Sequence, residues 1–212
     1  MLQRIVICTG GSLDAWALPY IHEGNVLIGA DSGARFLANN GFQIDVAIGD
    51  FDSVTENELA VIRSCSDKMI ECDPIDKNYT DTEMAVRLAM DMQPRELLIL
   101  GALGTRFDHS LANVHLLALA AEQGVTATII DNHNKISTIR DSLTLMKDGF
   151  DNVSLLPLTT KVSGITLRGF KYPLLDAELS IGQSLGISNV IQDASGRIEL
   201  KDGMLLVIQS RD

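Results

Sequence analysis

Residues 25–53 read NVLIGADSGARFLANNGFQIDVAIGDFDS, and this stretch decides the fold. NVLIGA (25–30) is a short apolar run of the kind that forms a buried strand. SGARFLANNG (32–41) has helical texture and ends in Asn-Asn-Gly, a helix-stopping signal. DVAIG (45–49) is a second buried run. Strand, helix and strand within so few residues form one βαβ unit, which requires parallel strands. Each strand runs directly into acid, Asp31 after the first and Asp50-Phe51-Asp52 after the second.

The same texture extends on both sides. Further apolar, β-branched runs are RIVIC (4–8), KMIEC (68–72), ELLILG (96–101) and TATIID (126–131). TDTEMAVRLAMDM (80–92) predicts a helix with Met84, Leu88 and Met92 on one face, and DHSLANVHLLALAAEQG (108–124) predicts a longer one. Near residue 132 the pattern changes. KVSGITLRGF, AELSIGQSLGIS and GRIELKDGMLLVIQS are short alternating runs separated by turn signals such as Asp202-Gly203. The expectation is an α/β protein: a mostly parallel α/β sheet domain over residues 1–131, then a smaller antiparallel β-sandwich domain over 135–212. The polar segment DNHNKIS (131–137) joins them.

Composition narrows the function. A net charge of −11 on 212 residues argues against a nucleic-acid surface, which needs clustered Lys and Arg. It leaves room for a nucleotide held through a divalent cation. No run reaches the roughly 18 apolar residues of a membrane span, and the apolar start is too short for a signal sequence. Cys8, Cys65 and Cys72 are odd in number and have no CxxC spacing, which fits a reduced, cytoplasmic compartment.

Ligands of open α/β sheets bind beyond the carboxyl ends of the strands. At those ends stand Asp31, the pair Asp50 and Asp52, the run Asp76-Lys77-Asn78-Tyr79-Thr80-Asp81, and Arg106-Phe107-Asp108-His109. Crowded carboxylates repel by about 1–4 kcal/mol per close pair, and an oxygen-only set favours Mg²⁺ or Mn²⁺. Asp50 and Asp52 lead as ligands: their i, i+2 spacing aims both side chains one way if the segment is extended, with Phe51 turned into the packing. Asp81 ranks third and Asp31 fourth. Against this, Asp31, Asp81 and Asp108 stand where an Asp caps a helix, and Thr80-x-x-Glu83 matches a capping box. Lys77 and Arg106 either bind phosphate or neutralise the aspartates. His109 either orients a phosphate or accepts a proton. Gly10-Gly11-Ser12 after the first strand suggests a phosphate at a helix N-terminus. The P-loop and GxGxxG patterns are absent.

Together, ADSGA (30–34), IGDFDS (48–53), DKNYTDTE (76–83), LGALGTRFDHSLANV (100–114) and the run from FKYPL (170–174) to GISN (186–189) resemble the thiamine pyrophosphokinase family. The resemblance spans most of the chain in order; GDFDS and TRFDH are its specific parts. It implies a Mg²⁺-dependent homodimer that converts thiamine and ATP to thiamine diphosphate and AMP. It places Asp50, Asp52 and Asp81 at the metal and the chemistry, with Asp108 or Asp81 taking the hydroxyl proton. Asp31, Lys77, Thr80, Arg106 and His109 fall at the nucleotide, and Tyr172, Ser188 and Asn189 at thiamine. Tyr172 stands where some relatives carry Trp. Two other readings share the acidic rim: a pyrophosphokinase for another hydroxymethyl heterocycle such as a pterin, and a non-catalytic Mg²⁺-nucleotide sensor.

Overall fold

The computed structural model describes residues 4–71 and 78–212. The chain forms two compact units, Met1–Asn132 and His133–Asp212.

Among the described residues of the first unit, six strands alternate with helices. They are β1 (Arg4–Cys8), β2 (Val26–Ala30), β3 (Ile44–Gly49), β4 (Ser66–Glu71), β5 (Glu96–Leu100) and β6 (Thr126–Ile130). All pair in parallel, in the spatial order β4-β3-β2-β1-β5-β6. A parallel pair needs a long crossover, and the helices that supply it cover the sheet. Those helices are α1 (Ser32–Asn39), α2 (Glu56–Ser64), α3 (Asp81–Asp91) and α4 (Phe107–Glu122). Central strands therefore lose their alternation: Ile5, Val6, Ile7 and Cys8 are all buried, as are Leu97 to Leu100.

The chain builds outward from β1 through β2 and β3 to β4. It then returns through α3 to place β5 on the other flank of β1. The direction of winding reverses between β1 and β5, and a crevice opens at the carboxyl ends of strands at such a point.

Local signals account for the helix ends. After α1, Gly41 takes φ +76° and the N–H of Phe42 donates to the Leu37 carbonyl, the Schellman closure that Asn-Asn-Gly forecast. On α3 the buried face is Thr82, Ala85, Val86, Ala89 and Met90, not the expected Met84, Leu88 and Met92. Small and β-branched side chains dominate this face, and Met92 is exposed.

Burial pushes the Cys8 thiol up to about 12, so it stays protonated at neutral pH. An aromatic disulfide reagent is expected to leave Cys8 unlabelled in the native protein and to label it only on unfolding. Peptide mapping reads this out; rapid native labelling would show that the α1–β1 contact opens.

The second unit holds two antiparallel sheets. One is β7-β13-β9, from Asn134–Ile139, Leu205–Ser210 and Asn152–Pro157. The other is β11-β10-β12-β8, from Ala177–Ser180, Lys161–Arg168, Ser195–Glu199 and Ser142–Met146. Val153, Leu155, Leu205 and Val207 of the first pack with Val162, Ile165, Leu167, Leu179 and Ile198 of the second, making a sandwich core. One detail differs from the sequence reading. Residues 134–137, read as part of a polar join, begin β7. Asp202-Gly203 is the expected turn between two strands, and it carries the chain from β12 in one sheet to β13 in the other. Among the described residues, no helix is long and apolar enough to cross a membrane.

Candidate active site: an acidic cleft at the strand ends

Strand geometry delivers the acids. The Asp31 N–H donates to the Ile48 carbonyl (2.9 Å), so the end of β2 is tied to β3. A Cβ on Gly49 would sit 3.3 Å from the Asp31 nitrogen, so the two corners abut. Asp31 and Phe51 both take left-handed backbone, φ +50° and +55°. Each such residue costs about 1–3 kcal/mol. Burial of the Phe51 ring, only 6% exposed, returns about 1.5–3 kcal/mol and offsets the turn it sits in.

That turn corrects the expected extended segment. Asp50 and Asp52 converge because the chain folds sharply at Phe51, not because it runs straight. Carboxylate oxygens of Asp31, Asp50 and Asp52 lie within 4.8 Å of one another. Among the described residues, the close group thus contains Asp31 where the sequence reading ranked Asp81.

Ser53, which the sequence reading passed over, orients this group. Its hydroxyl lies 2.9 and 2.8 Å from the two Asp31 oxygens, and the Asp52 N–H donates to Asp50 Oδ1 (3.3 Å). Arg35 reaches the Ser53 carbonyl (3.3 Å) and Glu58 (3.6 Å). Glu58 is in turn the partner of Thr55 in a capping box at the start of α2. The acidic group's donors are all oxygens, so they fit a hard divalent cation.

A cleft of about 500 Å³ lies at the switch point, within the usual size range for small-molecule sites. Thr9, Gly10, Gly11 and Ser12 line it from the end of β1, and Gly101, Ala102 and Gly104 from the end of β5. Asp31, Thr80, Asp81, Arg106 and His109 also face it. Lys77 lies outside the described residues.

Thr80 caps α3 by accepting from the Glu83 N–H (3.2 Å), which leaves Asp81 as the first helical residue. Among the described residues the reciprocal half of the expected box does not form: Glu83 instead pairs with Arg87 at 2.8 Å. The hydroxyls of Thr9 and Thr82, both buried, bond to each other and pin α3 to the end of β1. Buried Asn113 donates to the Ala102 carbonyl (2.7 Å), and the Ser110 hydroxyl accepts from the Gly104 N–H (3.1 Å). Both stand on α4 within two turns of Arg106, a spacing that could have revealed them.

Arg106 grips Asp108 through two nitrogens, at 2.7 and 3.3 Å. Hydrogen bonding from Arg106 holds the Asp108 carboxyl below the usual carboxylate range and raises the guanidinium. His109 Nε2 lies 3.9 Å from the same carboxylate. Gly10 and Gly11 lead into a 3₁₀ segment, Ala15–Tyr20, capped by Asp14, so the expected α-helix N-terminus does not follow them.

In the second unit, Asn189 is buried and its amide is committed. It accepts from the Tyr172 N–H (3.0 Å) and donates to the Tyr172 carbonyl (2.7 Å). Ser188 is exposed at φ +58°, and Tyr172 is exposed beside Lys171.

Comparison with known proteins gives the family. Residues 18–129 match the family model described as thiamin pyrophosphokinase, catalytic domain, and residues 140–205 match its vitamin B1 binding domain. The thiamine pyrophosphokinase of Bacillus subtilis is 32% identical over 195 residues, covering 91% of each chain. The chain belongs to the thiamine pyrophosphokinase family. Enzymes of this family are ATP-dependent diphosphotransferases. The crystal structure of the Bacillus subtilis thiamine pyrophosphokinase superposes with a TM-score of 0.92 at 30% identity, covering 99% of this chain and all of that one. A thiamin pyrophosphokinase from Geobacillus thermodenitrificans gives 0.88 at 31% identity, covering 99% and 98%. The α/β unit and the sandwich are thus both those of a thiamine pyrophosphokinase.

Proposed function

We propose that this chain transfers the pyrophosphate of ATP to the hydroxyl of thiamine, giving thiamine diphosphate and AMP. One observation supports the reading above all. Asp31, Asp50 and Asp52 converge at the strand ends, and Asp31 lines a cleft together with Arg106. Acid for a cation and a guanidinium for phosphate are what polyphosphate chemistry requires.

Asp31, Asp50 and Asp52 would hold Mg²⁺, with Mn²⁺ as a substitute of similar preference. Such a cation neutralises phosphate oxygens and stabilises charge as the group transfers. The chain's own residues do the rest. Arg106, Lys77 and the Gly10–Ser12 turn receive the triphosphate, and Thr80 and His109 flank it. The thiamine hydroxyl attacks the β-phosphorus, the bond to the α-phosphate oxygen breaks, and AMP leaves. The hydroxyl proton needs an acceptor. Asp108 is the poorer base, because Arg106 holds it below the usual range. Asp81, at the start of α3 and facing the cleft, takes that part.

Thiamine is assigned to Tyr172 and Ser188, with Asn189 shaping their segment through the Tyr172 backbone. Leu175, Ile181 and Leu185 are exposed on the same unit, which favours a homodimer that covers them. Cys8 and Cys65 are free thiols, in keeping with a reducing cytoplasm.

With ATP and Mg²⁺, AMP is expected to accumulate with thiamine and not with a hydroxymethylpterin or without acceptor. Chromatography resolves the nucleotides. Pterin-dependent AMP would reassign the substrate, and MgATP binding without AMP would leave a sensor.

A further inference from the structure

Asp31 and Arg35 stand four residues apart, Asp31 just before α1 and Arg35 within it. Arg35 Nη1 donates to the Ser53 carbonyl (3.3 Å), and the Ser53 hydroxyl donates back to Asp31 at 2.9 and 2.8 Å. These contacts close a ring that runs from α1 through the guanidinium and Ser53 to the carboxylate, and so back to α1. Glu58 holds the guanidinium from α2, with Oε1 at 3.6 Å from Nη1. Its other oxygen, Oε2, accepts from the N–H (2.8 Å) and the hydroxyl (2.9 Å) of Thr55. Hydrogen bonding from the Thr55 backbone and hydroxyl keeps the Glu58 carboxyl below the usual carboxylate range, so it faces Arg35 ionised.

The ring secures backbone that needs securing. Asp31 and Phe51 take φ +50° and +55°, and residues in that region persist only where their surroundings over-determine them. The buried Phe51 ring anchors the Asp50–Ser53 turn in the core. Arg35, only partly buried, anchors the same turn from the solvent side. Asp50 and Asp52 ride on that turn, and Asp31 is coupled to it through the Ser53 hydroxyl.

We infer that Arg35 is a positioning residue for the cation: acting through Ser53, it sets the spacing of Asp31, Asp50 and Asp52. This rests on the reading of that acidic group as the cation site. Charge alone has the opposite sign. A guanidinium beside three carboxylates repels an incoming cation, so its removal would tighten cation binding. Positioning gives a loss, because partners that orient metal ligands contribute about 10–100-fold to metal affinity.

The test titrates Mn²⁺ alone into the intact chain and reads the free ion by electron paramagnetic resonance. Arg35→Met keeps the apolar stem and removes the guanidinium. It should weaken Mn²⁺ binding about tenfold while the far-ultraviolet circular dichroism stays that of wild type. Ser53→Ala should also weaken it. In the Ser53→Ala background, Arg35→Met should cost less than it does in wild type, since both residues act through one chain of contacts. Unchanged or tighter Mn²⁺ binding by folded Arg35→Met would overturn the inference, as would full additivity of the two changes. The cation reading fails separately, if wild type binds Mn²⁺ no better than Asp52→Asn.

Discussion

Asp52→Asn abolishes turnover and leaves the fold intact. The side chain is exposed, and its carboxylate is one of three crowded within 4.8 Å. Replacing it with a neutral amide removes a hard ligand and one charge from the set that would hold Mg²⁺ against the triphosphate. Removing a single preorganised electrostatic contact from an active site costs about 10²–10³ in kcat, and loss of a metal ligand is expected at or above that range. Stability moves the other way. Deleting one of three like charges relieves repulsion on the order of 1 kcal/mol at a solvated site, so the Tm should hold or rise slightly. A kcat assay beside a thermal melt reads both. Near-normal turnover would remove Asp52 from the reaction; a lowered Tm would mean that its main task is structural.

Gly33→Ala tests the frame instead. A Cβ at Gly33 would lie 2.0 Å from the Cys8 carbonyl oxygen and 2.6 Å from the Thr9 nitrogen. Both are backbone of the central strand, so neither yields by rotating a side chain. Helix α1 would have to lift from β1, and Asp31 would move with it. Overpacking typically costs 1–3 kcal/mol, and a contact with backbone places this one at about 3 kcal/mol or more. For a chain of this length that lowers the Tm by about 6–12 °C. Gly24 is a control, with φ +86° and open space around its Cβ position. Gly24→Ala carries only backbone strain, about 1 kcal/mol. Equal melts for the two variants would show that the α1–β1 contact is not tight.

The parallel sheet was legible because its strands are buried on both faces and read as continuous apolar runs with helices between. α2 was missed: the apolar residues of ENELAVIRS run consecutively from Leu59 to Ile62 rather than at helical spacing, and the telling signal was its cap, Thr55-x-x-Glu58. Strand ends carrying Asp31, Asp50 and Asp52 were visible as composition. Their convergence depends on left-handed turns at Asp31 and Phe51, which periodicity does not encode. Ser53 and the Thr9–Thr82 pair act through contacts distant in sequence, so no local pattern announced them. Asn189 was singled out through the family motif. Its buried amide, closed on the Tyr172 backbone, is a property of the folded segment alone.

The most direct measurement follows the label from ATP carrying ³²P in its α-phosphate. Purified protein, Mg²⁺ and thiamine are added, and the nucleotides are separated. Attack at the β-phosphorus sends all transferred phosphate to thiamine and leaves the label in AMP, in amounts equal to the thiamine diphosphate formed. Label in ADP, with thiamine monophosphate as the partner product, would contradict pyrophosphate transfer and make the cleft that of a simple kinase.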